Sequence, residues 1–574
     1  MRTAVDCGLL HIFFAGVGAP SRAHLLYKGV RHRDSRSAAS PASRWPLLTA
    51  LTLLLAATAY GVRASLAATG GTLVYTLDDA YTHMAMARTF AVDGVWGCTP
   101  HAFGSASSSP AWVVAIALGY VVTGGVRDSA PLLLNVLFAA LALGVADHWL
   151  RRAAASTWLR LATLVGLVVV FPMAPMALYG MEHLMHGLLT LGFAGSAAWA
   201  LGQPPGDPAA RWRDARHLAW LGALLAASRY EGFFLVGAVC LAFALSRRVA
   251  QGFAIGLVSG VPALALGAAS VASGSLLLPN PLVLKAGGDG ASPLAALLKP
   301  IGPADWAAYH ANPGLLWVLA GAIAVVLVDG VRHRTLRRPP TLLAAFLAGG
   351  VLLHQHFAFS SAFYVYRYDA YLLLFAVFAA GVWLAGAGQG DGASAPWRRM
   401  AAVGPVAAPV GLLGHVRAAF VPDAEVDAVS LTAREHQTLA RFADTYFPGQ
   451  TIVVNDIGVM AYRYSGRPLD MFGLCDIEPV LARRRPGGYT KDGVRDWAAA
   501  AGAQIAIVQL TGGWVPPQIP AEWRKVAELT VLPERRVIGF FAIDPGVSSL
   551  DVRGDVGEFF TPMLDSGRYA LSLF

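Results

Sequence analysis

The chain has 574 residues, of which 56% are apolar and only 14% are Asp, Glu, Lys or Arg, well below the roughly 25% charged usage of soluble domains. This excludes an ordinary soluble globular protein and points to a mainly α-helical, polytopic membrane protein. The net charge of +9 lies largely between apolar stretches, where it reports topology; no nucleic-acid partner is expected.

Residues 1–44 read as a basic cytoplasmic tail, because Asp6 and the basic run after Pro20 argue against a cleaved signal peptide. A first apolar span follows near 46–66, long enough for a ~30 Å hydrocarbon core. The outer loop 67–129 opens with Asp78, Asp79, His83 and Arg88. Its apolar run from Pro110 to Gly124, only about 15 residues, suits an interfacial helix better than a crossing. Further spans fall near 130–149, 161–179 and 184–201. The stretch from His217 to Ser246 is interrupted by Arg229, Tyr230 and Glu231, and reads as two short spans meeting at a polar tip, since a charged pair in mid-bilayer is costly. Spans near 253–273, 314–329, 341–358, 369–387 and 401–420 bring the total to about eleven.

With the N-terminus inside, the inner segments hold clusters such as Arg151, Arg152 and Arg160, then Arg211, Arg213 and Arg216, then Arg332, Arg334, Arg337 and Arg338. The outer loops hold only scattered cations, among them Arg88, Arg229, Lys285 and Arg367. This is the positive-inside pattern of a plasma (bacterial inner) membrane protein. From Val421 the composition turns polar, and strand-like runs at Thr451–Val454, Gln504–Gln509 and Val537–Ile543 alternate with helical ones. Residues 421–574 therefore read as a soluble α/β domain, which an odd number of spans places outside the cytoplasm. The four cysteines have no metal spacing. Cys98 and Cys475 share the oxidising side, which permits a disulfide between them without requiring one.

This topology gathers Asp78, Asp79, His83, Arg88, Glu182, Arg229, Glu231, Asn280, Lys285 and Arg367 at the outer ends of spans. The run Asp78-Asp-Ala-Tyr-Thr-His-Met, with Ser105-Ala-Ser-Ser-Ser-Pro, Tyr179-Gly-Met-Glu, Ser228-Arg-Tyr-Glu-Gly and Leu278-Pro-Asn-Pro-Leu-Val-Leu-Lys, resembles integral-membrane glycosyltransferases of the GT-C class. The likeness is strongest to the mycobacterial arabinofuranosyltransferase branch and covers residues 46–420. It implies a transmembrane catalytic domain over 45–420, a polyprenyl-phosphate sugar donor, and a glycan or lipid acceptor on the outer face. That chemistry needs a carboxylate to take the acceptor's proton and cations to stabilise the departing phosphate. Asp78 and Asp79 are candidates for the first, with Asp78 favoured as base. Arg229, Lys285 and Arg367 are candidates for the second, and His83, Arg88, Glu231 and Asn280 for substrate contact.

Each residue also has a plainer reading. Two acids at a helix start complement its dipole, Arg229 and Glu231 can pair with each other, and Arg367 can snorkel among aromatic anchors. The sequence assigns no cofactor outright. The class resemblance leaves room for a divalent cation joining Glu182 to Asp78 or Asp79, against the plainer reading of Glu182 as a helix cap and His186 as a packed side chain. A transporter or flippase for a lipid-linked solute, or an envelope polysaccharide polymerase or ligase, would share much of this pattern. Transport leaves the large C-terminal domain unexplained, and no inverted repeat is visible.

The orientation is checked by labelling from outside the cell. Cysteines replacing Asp93 and Asp456 should react with an impermeant thiol reagent, and cysteines replacing Arg211 and Arg334 should not. Labelling at position 211 in intact cells reverses the topology.

Overall fold

The computed structural model describes residues 43–204, 207–285, 313–333, 337–357, 367–387, 423–485, 487–511 and 515–574. The N-terminal tail and the expected span 401–420 lie outside them, apart from Ser43 and Arg44. The chain is mainly helical, with a mixed sheet at its C-terminal end.

The helices begin and end where local chemistry dictates. Helix α1 (Trp45–Ala68) carries a proline in its first turn, where the missing N–H costs nothing. Helix α2 (Asp78–Asp93) opens on two acids and stops at Gly94 in the left-handed conformation. Helix α3 (Pro110–Thr123) starts on a proline and ends at Gly124, also left-handed. Then come α4 (Ala130–Arg152), α5 (Thr157–Val170), the short α6 (Met173–Leu178) and α7 (His183–Gly202). The single span expected over 161–179 is thus broken between α5 and α6. Pro172 is the cause, because it lacks an N–H and disfavours helix at the residue before it.

Helices α8 (Pro208–Ser228) and α9 (Gly232–Leu245) meet at Arg229, whose extended backbone stops α8, in the hairpin arrangement the sequence suggests. They are followed by α10 (Val249–Ala272), α11 (Asn280–Lys285), α12 (Pro313–His333), α13 (Pro339–Phe357) and α14 (Ala370–Ala387). Among the described residues, 4 helices (α1, α4, α7 and α10) are clearly long and apolar enough to cross a membrane, and α3, α5, α9 and parts of α12 and α14 form shorter apolar helices. The eleven-span expectation is therefore met only in part by helix length and apolarity. Helix α7 is central, with 89% of its apolar window buried against 22% for α10.

At one end of the bundle Asp147 accepts from Arg151 Nε at 2.7 Å and Arg160 Nε at 2.8 Å, and both arginines also reach the Ser43 carbonyl. This pairing satisfies the buried carboxylate and ties the start of α1 to α4 and α5.

The C-terminal unit starts with α15 (Asp423–Thr432), a π-helical turn (Ala433–Gln437) and α16 (Thr438–Tyr446). Strands β1 (Thr451–Val454), β2 (Arg467–Asp470), β3 (Ala503–Gln509), β4 (Arg524–Val531), β5 (Arg536–Ala542) and β6 (Tyr569–Leu573) form one sheet in the order β2-β1-β3-β5-β4-β6. The β2-β1-β3 half is parallel and the remainder antiparallel. Helices α17 (Gly458–Arg463), α18 (Glu478–Arg484), α19 (Lys491–Ala500) and α20 (Ser549–Phe560) complete it. Strand alternation splits its apolar residues. Ile452, Val454, Ile505 and Ile507 join the core continuous with the bundle, while Val453, Ala506 and Val508 pack on the other face with Val494 and Trp523.

This unit is fastened to the segment 67–129 by several independent contacts. Arg88 donates to the carbonyls of Tyr462 at 2.7 Å and Ala461 at 2.9 Å, Tyr462 donates to Asp128 at 2.8 Å, and Arg463 pairs with Asp128. A disulfide joins Cys98 to Cys475. Asp78 accepts from the backbone amides of Gly458 at 2.7 Å and Val459 at 2.8 Å. So close an approach needs glycine at 458, since a Cβ there would lie 2.1 Å from the Asp78 carbonyl oxygen.

Gly458→Ala should therefore cost about 1–3 kcal/mol, the usual scale for overpacking, seen as a lower unfolding temperature of the purified protein. An unchanged unfolding temperature would show that α2 and α17 do not meet this closely.

Candidate functional site

A cavity of about 240 Å³ opens where α2, α7, the α8–α9 turn, α11 and the start of α14 converge. It is bordered by Asp79, His83, Glu182, His183, Arg229 and Arg367, with Tyr368, Phe472 and Leu474 closing it. The charged residues form one connected network. Arg367 Nη1 lies 3.2 Å from Asp79 Oδ2, and Arg367 Nη2 donates to the Tyr368 hydroxyl at 2.7 Å. The Tyr368 ring is 4.8 Å from the Arg367 guanidinium and 5.7 Å from that of Arg229, so it separates two cations that would otherwise repel. Arg229 pairs with Glu182 on one side and with Glu231 at 2.7 Å on the other.

Among the described residues, several buried polar atoms of this network have no hydrogen-bond partner: Nδ1 of His83 and Oε2 of Glu182, which face each other at 3.7 Å, Nε2 of His183 and Nε of Arg229. Orphaned polar atoms are costly in a fold. Four of them on residues bordering one cavity fit a pocket built for a polar guest. Asp79 keeps 45% of its side chain exposed there, so its carboxylate is accessible as well as positioned.

The structure separates the residues singled out from the sequence. Asp79, His83, Glu182, Arg229 and Arg367 come together. Glu231 stands behind Arg229. Asn280 is a strut, its backbone amide bonded to the Ser105 carbonyl at 2.9 Å and its side-chain amide to the Leu474 carbonyl at 3.1 Å. The Lys285 side chain lies outside the described residues.

Asp78 and Arg88, like Asn280, stand elsewhere than expected. Asp78, favoured as the base, turns away from the cavity toward the amides of α17, with His436 Nδ1 at 3.8 Å. Burial pushes its carboxyl above the ordinary range, with His436 pulling it back and Asp456 adding to the rise. Arg88, expected at the substrate, instead holds the C-terminal unit. For the cation suggested between Glu182 and Asp78 or Asp79, only Asp79 shares the cavity with Glu182, and Glu182 is already met by the guanidinium of Arg229. Glu182 stands at the N-cap of α7 but makes no side-chain cap bond, whereas His186 is packed, 2.8 Å from Ser228 Oγ and edge-on to Tyr371.

Sequence reasoning missed Tyr368, Phe472 and Leu474 as site residues. Tyr368 adjoins Arg367, which is a usable signal. Phe472 and Leu474 come from a loop of the C-terminal unit that the Cys98–Cys475 link and the Asn280 strut hold at the cavity. That loop is shaped by Asp470, which accepts from the amides of Phe472 and Cys475, both at 2.8 Å. Burial and the neighbouring Asp476 push Asp470 up to about 7.

Residues 426–548 match a family model described as a domain of unknown function, DUF8728. No curated protein matches the sequence. Among solved structures, the chain is similar to ArnT from Cupriavidus metallidurans bound to undecaprenyl phosphate, with 14% identity over 87% of this chain and 98% of that one, at a TM-score of 0.49. It is also similar to the Archaeoglobus fulgidus oligosaccharyltransferase in the apo form, with 10% identity over 88% and 75% of the chains and a TM-score of 0.45. A third is the archaeal oligosaccharyltransferase AglB from the same organism with an inhibitory peptide and a dolichol-phosphate, at 10% identity, the same coverage and a TM-score of 0.44.

The raised Asp470 makes stability depend on pH. Between the ordinary aspartate value and about 7 the folded state holds a proton that the unfolded state has lost, so stability falls as pH rises through this window and levels off above it. Unfolding of the C-terminal unit should occur at a higher temperature at pH 5 than at pH 8, and Asp470→Asn should flatten the difference. An equal slope in the variant would assign the effect to another group.

Proposed function

We propose that the protein is a membrane glycosyltransferase that moves a sugar from a polyprenyl-phosphate donor to a glycan or lipid hydroxyl on the outer face of the membrane. The observation that carries this reading is Asp79. It is an accessible carboxylate 3.2 Å from Arg367, in a cavity shared with Arg229 at one end of helices long enough to cross a membrane. The motifs that resemble GT-C enzymes converge on the same place.

The chemistry follows from these positions. The acceptor oxygen attacks the anomeric carbon while its proton passes to the Asp79 carboxylate, so that nucleophile strength rises as the bond forms. The bond from that carbon to the phosphate oxygen breaks, and the electron pair leaves on the lipid phosphate. Arg367 and Arg229, with Lys285 as a third candidate, stabilise that charge. Attack opposite to departure gives inversion at the anomeric carbon. His83 and His183 offer sugar hydroxyls ring nitrogens that make no hydrogen bond among the described residues, and Phe472 and Leu474 give an apolar wall for a sugar face or an acceptor.

The test is incubation of purified protein with a panel of polyprenyl-phosphate sugars, reading released polyprenyl phosphate. Asp79→Asn should lower turnover by about 10² or more, the scale of lost general-base help. Asp78→Asn should act mainly on the stability of domain docking. Turnover lost only in the Asp78 variant would return the base to that residue, and wild-type rates in both would sink the reading.

Arg229→Ala and Arg367→Ala remove cations from the proposed phosphate site, and donor affinity should fall in at least one. Unchanged affinity in both would leave Lys285 or a different site. Phe472→Ala, at the lid of the cavity, should raise the acceptor KM more than it weakens donor binding; the reverse order would put the donor under the C-terminal unit.

A further inference from the structure

A second polar cluster lies on the opposite side of α2. Glu435, His436 and Asp456 each bring one donor atom to within 4.8 Å of the others. With Asn455 and Gln509 they border a cavity of about 20 Å³, room for one ion or water. The position is that of a ligand site in an α/β sheet, outside the carboxyl ends of the parallel strands β1 and β3. Glu435 and His436 lie on the π-helical turn, a local irregularity common at functional sites.

The donors differ from a solvated acidic patch. The Glu435 side chain is 1% exposed, meets Arg536 at a long 3.4 Å, and leaves Oε1 without a hydrogen-bond partner among the described residues. The His436 ring makes no hydrogen bond among the described residues. Its Nδ1 faces Asp78 Oδ1 at 3.8 Å, and the residue borders the cavity. Each donor is also oriented from behind, Glu435 by Arg536, His436 by Asp78, and Asp456 by Asn455 Nδ2 at 3.1 Å. Outer partners of this kind fix the direction of metal ligands, a carboxylate behind a histidine above all. Three carboxylates gathered around one histidine, with a single guanidinium at the edge, leave negative charge for a cation to meet.

We propose that Glu435, His436 and Asp456 bind one divalent cation of the Zn²⁺ or Mn²⁺ class, with Asp78 as the outer partner of His436. One imidazole and two carboxylates suit such ions better than the thiolate-seeking metals. The donors draw together by side-chain rotation to reach bonds of about 2.0–2.2 Å. The cation then joins the π-helical turn to the end of β1 and, through Asp78, holds the C-terminal unit against the helix that carries Asp79. This role concerns docking and stands apart from the sugar-transfer reading.

The test uses the full-length protein in detergent micelles, stripped with EDTA, desalted, and exposed to Zn²⁺ or Mn²⁺ alone. Bound metal is measured by mass spectrometry and docking by thermal unfolding. About one cation per chain should be retained, and the unfolding temperature should rise, because an ion that binds only the folded state stabilises it. The double variant Glu435→Gln with Asp456→Asn should lose both effects. Glu182→Gln, which alters the cavity beside Asp79, should keep both. If the double variant does not fold, His436→Gln supplies the same comparison. Absence of bound metal in the wild-type protein, retention of the metal in the Glu435/Asp456 variant, or its loss in Glu182→Gln each overturns the proposal.

Discussion

Neighbouring residues on a helix project about 100° apart, and α2 turns this into a division of labour. Asp78 points into the C-terminal unit, where its carboxylate accepts from two backbone amides. Asp79 points into the cavity beside Arg367. Docking of the C-terminal unit and placement of the Asp79 carboxylate at the cavity thereby depend on one helical turn.

The charges of the cavity are stable only as a set. A guanidinium among apolar helices is costly unless paired, and a buried pair is costly to break from either side. Arg229 is held between Glu182 and Glu231, and Arg367 is shared by Asp79 and Tyr368. Among the described residues the set leaves His83, His183, Glu182 and Arg229 with polar atoms that make no hydrogen bond, which a purely structural salt-bridge cluster would not need. The neighbouring pair of His354 Nε2 and Asp369 Oδ1, at 2.7 Å and fully buried, differs in this respect. It anchors the start of α14 just after Arg367 and Tyr368, and does not border the cavity.

The soluble unit acts as a wall of the site. Phe472 and Leu474 close the cavity, and their loop is secured from three directions by Asp470, Asn280 and the Cys98–Cys475 link. A disulfide across 377 residues of sequence limits how far the two parts can separate in any partly open state. The unit's sheet also shares its near-side core with the bundle, so the interface is apolar as well as polar and covalent.

The sequence by itself determined the class, most helix positions, the polar tip at Arg229–Glu231 and the α/β character of the final segment. These follow from local and periodic rules, namely apolar length, proline and glycine punctuation, and strand alternation. It also gathered Asp79, His83, Glu182, Arg229 and Arg367 at matching ends of their helices, because an alternating topology sorts residues by side even when they are far apart in the chain. It could not separate Asp78 from Asp79, since their identity and neighbourhood are alike and only the direction of α2 against the C-terminal unit distinguishes them. Nor could it assign Arg88 to a docking contact or bring Phe472 and Leu474 over the cavity. Those roles depend on contacts across more than 190 residues of sequence, which no local pattern encodes, and which only the packing of the two parts against each other decides.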